Sequence, residues 1–342
     1  MIKTRATTLT ITLVGAMLAI ACDTDDGPSP YDTELLGDWV DDDGRIQMRK
    51  GEINARELNG CKLNGRKLNG RKLNGSKLNG CKLNGAKPNG TALNNLRVVA
   101  NQVVADDPQG DPLSGTELED MRFEFEVDNE DETTSLYEES LTEIETAPGG
   151  LILATVKQRE LPSGGWFNSC ENGTKAVQLR GDWDPVTGDR VSTTTDNTTW
   201  GCLGTALGDC ASWGYIPGAD INGVDGSVLH QACTRMKRAD YAGVGIPTTR
   251  NGTSIDVYDA AGLMAPDTTW PIEAMWNADG AVCVSHTRKS DWDLNDPPAE
   301  GKQYIGAELP PCVDVNEDGY IDFDDYPDAV LANRNVQTDP PL

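Results

Sequence analysis

From Cys61 to Gly85 the chain reads CKLNGRKLNGRKLNGSKLNGCKLNG, a five-residue unit repeated almost without drift. Leucine stands at 58, 63, 68, 73, 78, 83 and 93, with Pro88 in the one missing step, and Asn and Gly follow at the same interval. A period of five matches neither the 3.6-residue helix turn nor the two-residue strand alternation, so no single helix or strand face can be built from it. A short fixed period describes instead a stacked coil in which each unit forms one side of a turn. The same segment concentrates positive charge: residues 51–100 hold ten Lys and Arg against two Glu. The chain as a whole is strongly acidic, with 55 Asp and Glu, 29 Lys and Arg and a formal charge of -26 over 342 residues. That balance argues against nucleic-acid binding, which needs clustered basic residues on an otherwise permissive surface.

From Glu57 to Asn95 the units resemble the pentapeptide-repeat family. The resemblance implies a right-handed, four-sided β-helix with the leucines inward and twenty residues per turn. The family places a small inward residue two positions before each leucine, whereas this chain has Arg66 and Arg71 there, beside Cys61, Ser76, Cys81 and Ala86. Unpaired arginines are costly in a narrow core, so that face opens to solvent or the coil is irregular. Cys61 and Cys81 are one implied turn apart, and strands about 4.8 Å apart lie within disulfide reach. They are expected to face each other and bond. The lysines from Lys62 to Lys87 precede the inward position and point outward. They form either a solvated face or a docking face for an anionic surface, such as lipid headgroups or the protein's own acidic part.

The N-terminus reads as an export signal: a basic start at Lys3 and Arg5, an apolar run from Leu9 to Ala21, then Cys22. Ala19-Ile20-Ala21-Cys22 fits a lipobox, which would leave Cys22 acylated and the protein anchored in a membrane of the bacterial envelope. It also fits a simple cleavage site that releases a secreted protein. Nine cysteines favour the first reading. With Cys22 used for lipid, eight remain, an even set for disulfides in an oxidising compartment: Cys61, Cys81, Cys170, Cys202, Cys210, Cys233, Cys283 and Cys312. The expected organisation is a signal peptide at 1–21, a polar tether at 22–50, the coil at 51–97, a mainly-β domain at 98–311 and a tail at 312–342.

Beyond Val98 the texture is that of short strands. Arg122 to Val127 alternates strictly, an acidic stretch DNEDETTSLYEESLTEIE follows it, and Gly150 to Val156 is apolar. Asn251-Gly252 before Ser254–Tyr258 and Asp279-Gly280 before Ala281–Val284 are hairpin signals. One helix is expected over about Ser227 to Tyr241. The fold class is therefore mainly β, with one or two helices, disulfide-linked and preceded by a short β-helix-like coil.

The tail carries DVNEDGYIDFDD, residues 314–325, which resembles the EF-hand calcium loop. The resemblance implies a Ca²⁺ shell of Asp314, Asn316, Asp318, the Tyr320 carbonyl, Asp322 and Asp325, with Gly319 permitting the sharp turn. Asp rather than Glu closes the loop, and Leu309-Pro310-Pro311-Cys312 leaves no entering helix. A half-site with an exiting helix over Tyr326 to Asn333 looks more like a dockerin-type loop, with millimolar-range affinity.

Enzyme signals are sparse. Gln231-Ala232-Cys233 lacks the glycine of the caspase motif, no G-x-S-x-G elbow accompanies His230 or His286, and no zinc spacing occurs. Between Trp166 and His286 the segments WFNSC, LRGDWDPVTG, TTWGCLGTALGDCASWGY, HQACTRMKRADYAGVG, TRNGTSIDVYD and MWNADGAVCVSH resemble, in order and spacing, the ADYC-domain family of myxobacterial and related exported proteins. The family implies a cysteine framework but no reaction. At the namesake motif, Ala239-Asp240-Tyr241 is followed by Ala242 instead of Cys. The resemblance then implies that Cys312 pairs with the cysteine that position 242 would otherwise engage, clamping the tail to the domain. The expected role is non-catalytic binding or envelope structure, with an uncharacterised hydrolase as the alternative. A cleft gathering His230, His286, Asp240 and Tyr241 would favour the hydrolase.

Overall fold

The computed structural model describes residues 51–53, 85–86, 92–99, 102–128, 134–147, 151–170, 173–180, 182–184, 187–192, 198–250, 253–266 and 269–337. It is mainly β, built on two antiparallel sheets joined through two helices.

The larger sheet has ten strands: β2 (Gly85–Ala86), β3 (Ala92–Val99), β4 (Gln102–Asp106), β5 (Pro112–Ser114), β6 (Arg122–Asp128), β7 (Thr134–Thr146), β8 (Ile152–Glu160), β9 (Phe167–Asn168), β10 (Ala176–Arg180) and β13 (Thr198–Cys202). Their order is β13-β10-β8-β7-β6-β2-β3-β4-β5, with β9 on β8. Strands β6 and β8 arise where alternation and apolar content place them. Strand β7, of 13 residues, forms inside the acidic stretch. Its parity is the reason: Glu139 and Leu141 turn into the core while Glu138 turns outward to Arg159. A bulge between Thr142 and Glu145, with Glu143 at φ 52, resets that parity so that Ile144 also faces inward.

The smaller sheet has five strands in the order β1-β16-β21-β17-β18. These are β1 (Gly51–Ile53), β16 (Thr253–Asp259), β17 (Ile272–Asn277), β18 (Gly280–Val284) and β21 (Leu331–Arg334). Short two-stranded pairs complete the chain: β11 (Asp182–Trp183) with β12 (Arg190–Ser192), β14 (Asp220–Ile221) with β15 (Val224–Asp225), and β19 (Trp292–Asp293) with β20 (Gln303–Tyr304).

Helix α2 (Gly226–Arg238) covers the expected helical segment. Asp225 caps it through a 2.8 Å bond from the Ser227 N–H, and Ala239 ends it in the left-handed conformation. It packs on one face of the smaller sheet, where Leu229, Met236, Val257, Trp276 and Leu331 share a core. Helix α1 (Ala206–Ser212) bridges the two sheets. Its Leu207 and Ala211 pack on Val177 and Leu179 of β10, and its Cys210 bonds Cys233 of α2.

The exiting helix expected over Tyr326 to Asn333 is absent, and β21 runs there instead. It lies in the middle of its sheet, paired on one side with β16 and on the other with β17. Leu331 packs towards α2, Ala332 packs on the opposite face with Met275, and Asn333 accepts the Trp276 indole N–H at 2.8 Å. A segment buried on both faces satisfies its backbone through two neighbours, which a helix at that place could not do.

Three disulfides join Cys170 to Cys202, Cys210 to Cys233 and Cys283 to Cys312. Cys312 thus ties the tail to β18. Its partner Cys283 packs with Met275 and Ala332, on the face away from α2, whereas Tyr241 packs on the α2 face. Ala242 follows Tyr241 and stands beside Gly306 and Gly280, at the start of β18. The coil expected over 51–97 lies outside the described residues apart from its ends, which are antiparallel strands β1, β2 and β3. Cys22, Cys61, Cys81 and the Lys62–Lys87 face lie outside them as well.

Candidate functional site

Two places gather polar chemistry: the buried junction at the C-terminus of α2 and the acidic loop before β21. The junction is made by Ala239-Asp240-Tyr241. Because Ala239 turns the chain sharply, Asp240 folds back beneath its own helix and accepts Arg235 Nη1 at 2.6 Å. It also accepts the backbone N–H groups of Val244 at 3.1 Å and Gly245 at 2.9 Å, which fixes the following loop. Arg235 reaches on to the Asp189 carboxylate and to the Thr187 carbonyl at 2.6 Å.

Tyr241 points the other way, into the core, stacked on Trp276 with ring centroids 5.2 Å apart. Its hydroxyl donates to Glu273 at 3.0 Å and accepts the Arg288 backbone N–H at 2.7 Å. Glu273 takes Arg288 in a fork, at 3.0 Å from Nε and 2.9 Å from Nη2. The same guanidinium donates to the Met236 and Lys237 carbonyls at 2.8 and 3.0 Å, in the last turn of α2, where the Met236 carbonyl also accepts the Ala239 N–H. Glu273 and Arg288 are both fully buried. Burial alone would lower the Arg288 pKa, but the facing carboxylate outweighs it and the guanidinium is pushed up. Burial first, and Glu273 second, push the Tyr241 phenol well above its usual value, so it stays a donor.

Close backbone approach completes the junction. A β-carbon on Gly243, at φ 68, would fall 1.6 Å from the Asp279 carbonyl oxygen, so only glycine fits against the β17–β18 turn. No motif marks Glu273 or Arg288 in the sequence. Glu273 left a signal, a lone charge in the otherwise apolar strand Ile272 to Trp276, which requires a buried partner. Arg288, in a polar run, left none.

The four residues that a cleft would have to gather take separate partners. His230 Nε2 lies 3.0 Å from the Leu207 carbonyl and is therefore the protonated nitrogen; Nδ1 is buried without a partner. Burial lowers the His230 pKa to about 4. His286 Nε2 lies 2.7 Å from Asn335 Oδ1. Asp240 and Tyr241 are committed as above, and Cys233 is in its disulfide.

The His230 shift has a definite sign. Unfolded chains bind a proton near the ordinary 6.5 while the folded imidazole resists until about 4, so this residue removes stability as the pH falls across that window. His230→Gln is expected to gain on the wild type by about 1.4 kcal/mol per pH unit below 6.5, read from paired melts between pH 4 and 7.

The acidic loop runs from Asp314 to Asp325, with Glu317 at φ 61 and Gly319 at φ 95. Its side chains fold it inward. Asp314 accepts the N–H groups of Asp318 at 3.2 Å and Gly319 at 2.7 Å, and Asn316 accepts Asp318 at 3.0 Å. Asp318 accepts Tyr320 at 3.0 Å, and Asp322 accepts Asp324 at 2.9 Å. Asp325 closes the loop on Val315 at 2.8 Å, Asn316 at 2.9 Å and Asp322 at 3.1 Å. Desolvation would raise the Asp325 carboxyl, but these N–H groups outweigh it and hold it below the usual range. Ile321 and Phe323 anchor the loop, Phe323 edge-on to Tyr258 at 5.7 Å. Among the described residues no group of three or more His, Cys, Asp or Glu side chains is drawn together as a metal cluster. The carboxylates spend their bonds on the loop's own backbone.

No curated protein and no solved structure matches the chain. The profile of the ADYC domain matches residues 115–290, from the turn before β6 to just past Arg288. That span contains Asp240, Tyr241, Glu273 and Arg288 together with five of the six disulfide-bonded cysteines described, and it covers more than half of the sequence. On that match, with a junction centred on Ala239-Asp240-Tyr241, the chain belongs to the ADYC-domain family.

Proposed function

We propose that this is an exported protein of the bacterial cell envelope, acylated at Cys22, whose role is binding or structure rather than catalysis. One observation carries the reading: each candidate catalytic group is consumed by the fold. His230 bonds Leu207, His286 bonds Asn335, Asp240 holds Arg235, and Tyr241 is locked between Glu273 and Arg288. Three disulfides suit an oxidising compartment. In this reading the basic segment between β1 and β2 winds as a pentapeptide-type coil near the anchor, with Cys61 bonded to Cys81 and the lysines from Lys62 to Lys87 facing an anionic envelope surface.

The acidic loop is read as a calcium site of extracellular type, with Asp314, Asn316, Asp318, the Tyr320 carbonyl, Asp322 and Asp325 as ligands. Its support is the motif, the turn at Gly319 and the closure by Asp325. Calcium at tenfold its dissociation constant should stabilise the protein by about 1.4 kcal/mol. The expected result is a melting temperature that rises by a few degrees in millimolar calcium, and a rise that Asp314→Ala abolishes. An unchanged melting temperature would remove the calcium assignment.

A further inference from the structure

Glu139 sits in the larger sheet's core, fully buried, and no ion pair among the described residues involves it. Its Oε2 receives Gln158 Nε2 at 2.7 Å and its Oε1 receives Trp200 Nε1 at 2.9 Å, both neutral donors. On β6 its register partner is Phe123, and on β8 it is Gln158. Lys157 and Arg159, the basic residues flanking Gln158, alternate to the opposite face, where Arg159 is bound to Glu138. The core around Glu139 is aliphatic apart from Trp200, Tyr137 and the Cys170–Cys202 disulfide. A carboxylate buried in such a place has only these two neutral donors to offset its charge.

A second observation points the same way. Gln158 Oε1 is buried without a hydrogen-bond partner, on the very amide that touches Glu139. A neutral carboxylic acid carries a proton that needs an acceptor, and turning the Gln158 amide over would present that oxygen to it. With the acid ionised, the amide turns its NH₂ to the carboxylate. Either orientation leaves one amide atom without a partner, so the amide follows the proton at little net cost.

We propose that Glu139 and Gln158 form a proton-operated latch in the larger sheet, set one way when Glu139 is a neutral acid donating to Gln158 Oε1 and the other way when the proton leaves and the Gln158 NH₂ donates to the carboxylate. Burial is the dominant cause of a pKa raised to about 8, against the pull of the bonds from Gln158 and Trp200. The sign follows. Between the ordinary 4.5 and about 8 the folded state holds a proton that the unfolded chain has lost, so the latch contributes less stability as the pH rises through that window.

The test uses the full chain. Wild-type protein should show the infrared C=O band of a buried neutral carboxyl at pH 6.5, lost on titration to pH 9 and absent from Glu139→Gln. The ratio of the folding equilibrium constant of Glu139→Gln to that of the wild type should rise about tenfold per pH unit between 6.5 and 8, one proton's worth. Differencing removes the other buried groups, His230 and Lys237, from the comparison. If the wild type lacks that band at pH 6.5, or if the variant keeps the same pH slope, the latch does not exist. Should Glu139→Gln fail to fold, the infrared titration of the wild type alone decides, since a neutral band that persists to pH 9 equally overturns it.

Discussion

Glu273→Gln is expected to cost the protein about 3–5 kcal/mol, because it leaves the Arg288 guanidinium buried with its charge uncompensated. In a domain of this size that lowers the melting temperature by roughly 10 °C. The loss should spread beyond the pair, since the same guanidinium closes the C-terminus of α2 and its backbone N–H holds the Tyr241 hydroxyl. Tyr241→Phe removes only that hydroxyl and should cost about 1–3 kcal/mol, the usual range for leaving a buried donor unmet. The double change Glu273→Leu with Arg288→Met abolishes both charges and should recover part of the loss, while the Lys237 carbonyl loses its side-chain donor. Urea denaturation of the four proteins gives the ordering directly. A loss below 1 kcal/mol for Glu273→Gln would mean that water reaches Arg288, and that the junction does not hold α2 to its sheet.

Ending the chain after Tyr326 should abolish the smaller sheet altogether. The truncation removes Leu331 to Arg334, which separate β16 from β17 and pair with both. Without that strand two rows of backbone donors and acceptors lie open in the middle of a sheet, each costing about 1–3 kcal/mol when buried unpaired. The core on the α2 face loses Leu331, and Trp276 loses the acceptor of its indole N–H. Near-UV circular dichroism should lose the tryptophan signal of that half, and limited proteolysis should cut between β16 and β18. A truncated chain that melts cooperatively near the wild-type temperature would show that β16 and β17 close on each other. The truncation also speaks to the family, because the matched span, residues 115–290, stops before the strand that completes its own sheet.

Much of this architecture follows from local chemistry. Alternation placed β6, the turn signal before Ser254 placed the start of β16, Asp279-Gly280 placed the β17–β18 hairpin, and the segment from Ser227 to Tyr241 placed α2. Cysteine parity pointed to an oxidised framework before any pairing was visible. The misreadings share a cause. Strand β7 was concealed because its four acidic residues, one of them the buried Glu139, masked the period. The segment from Tyr326 to Asn333 has the residues of a short helix, and only the gap between β16 and β17 makes it a strand.

By itself, then, the sequence determined the β-rich class, the long helix, the ADYC resemblance and the acidic loop, all of which rest on contacts between near neighbours. Tertiary structure alone decided that Glu273 meets Arg288, that Glu139 meets the neutral donors Gln158 and Trp200, that Cys312 finds Cys283 and that β21 lies centrally. Each joins elements distant along the chain, and the cost of burying a charge or an open strand becomes defined only once those elements have met.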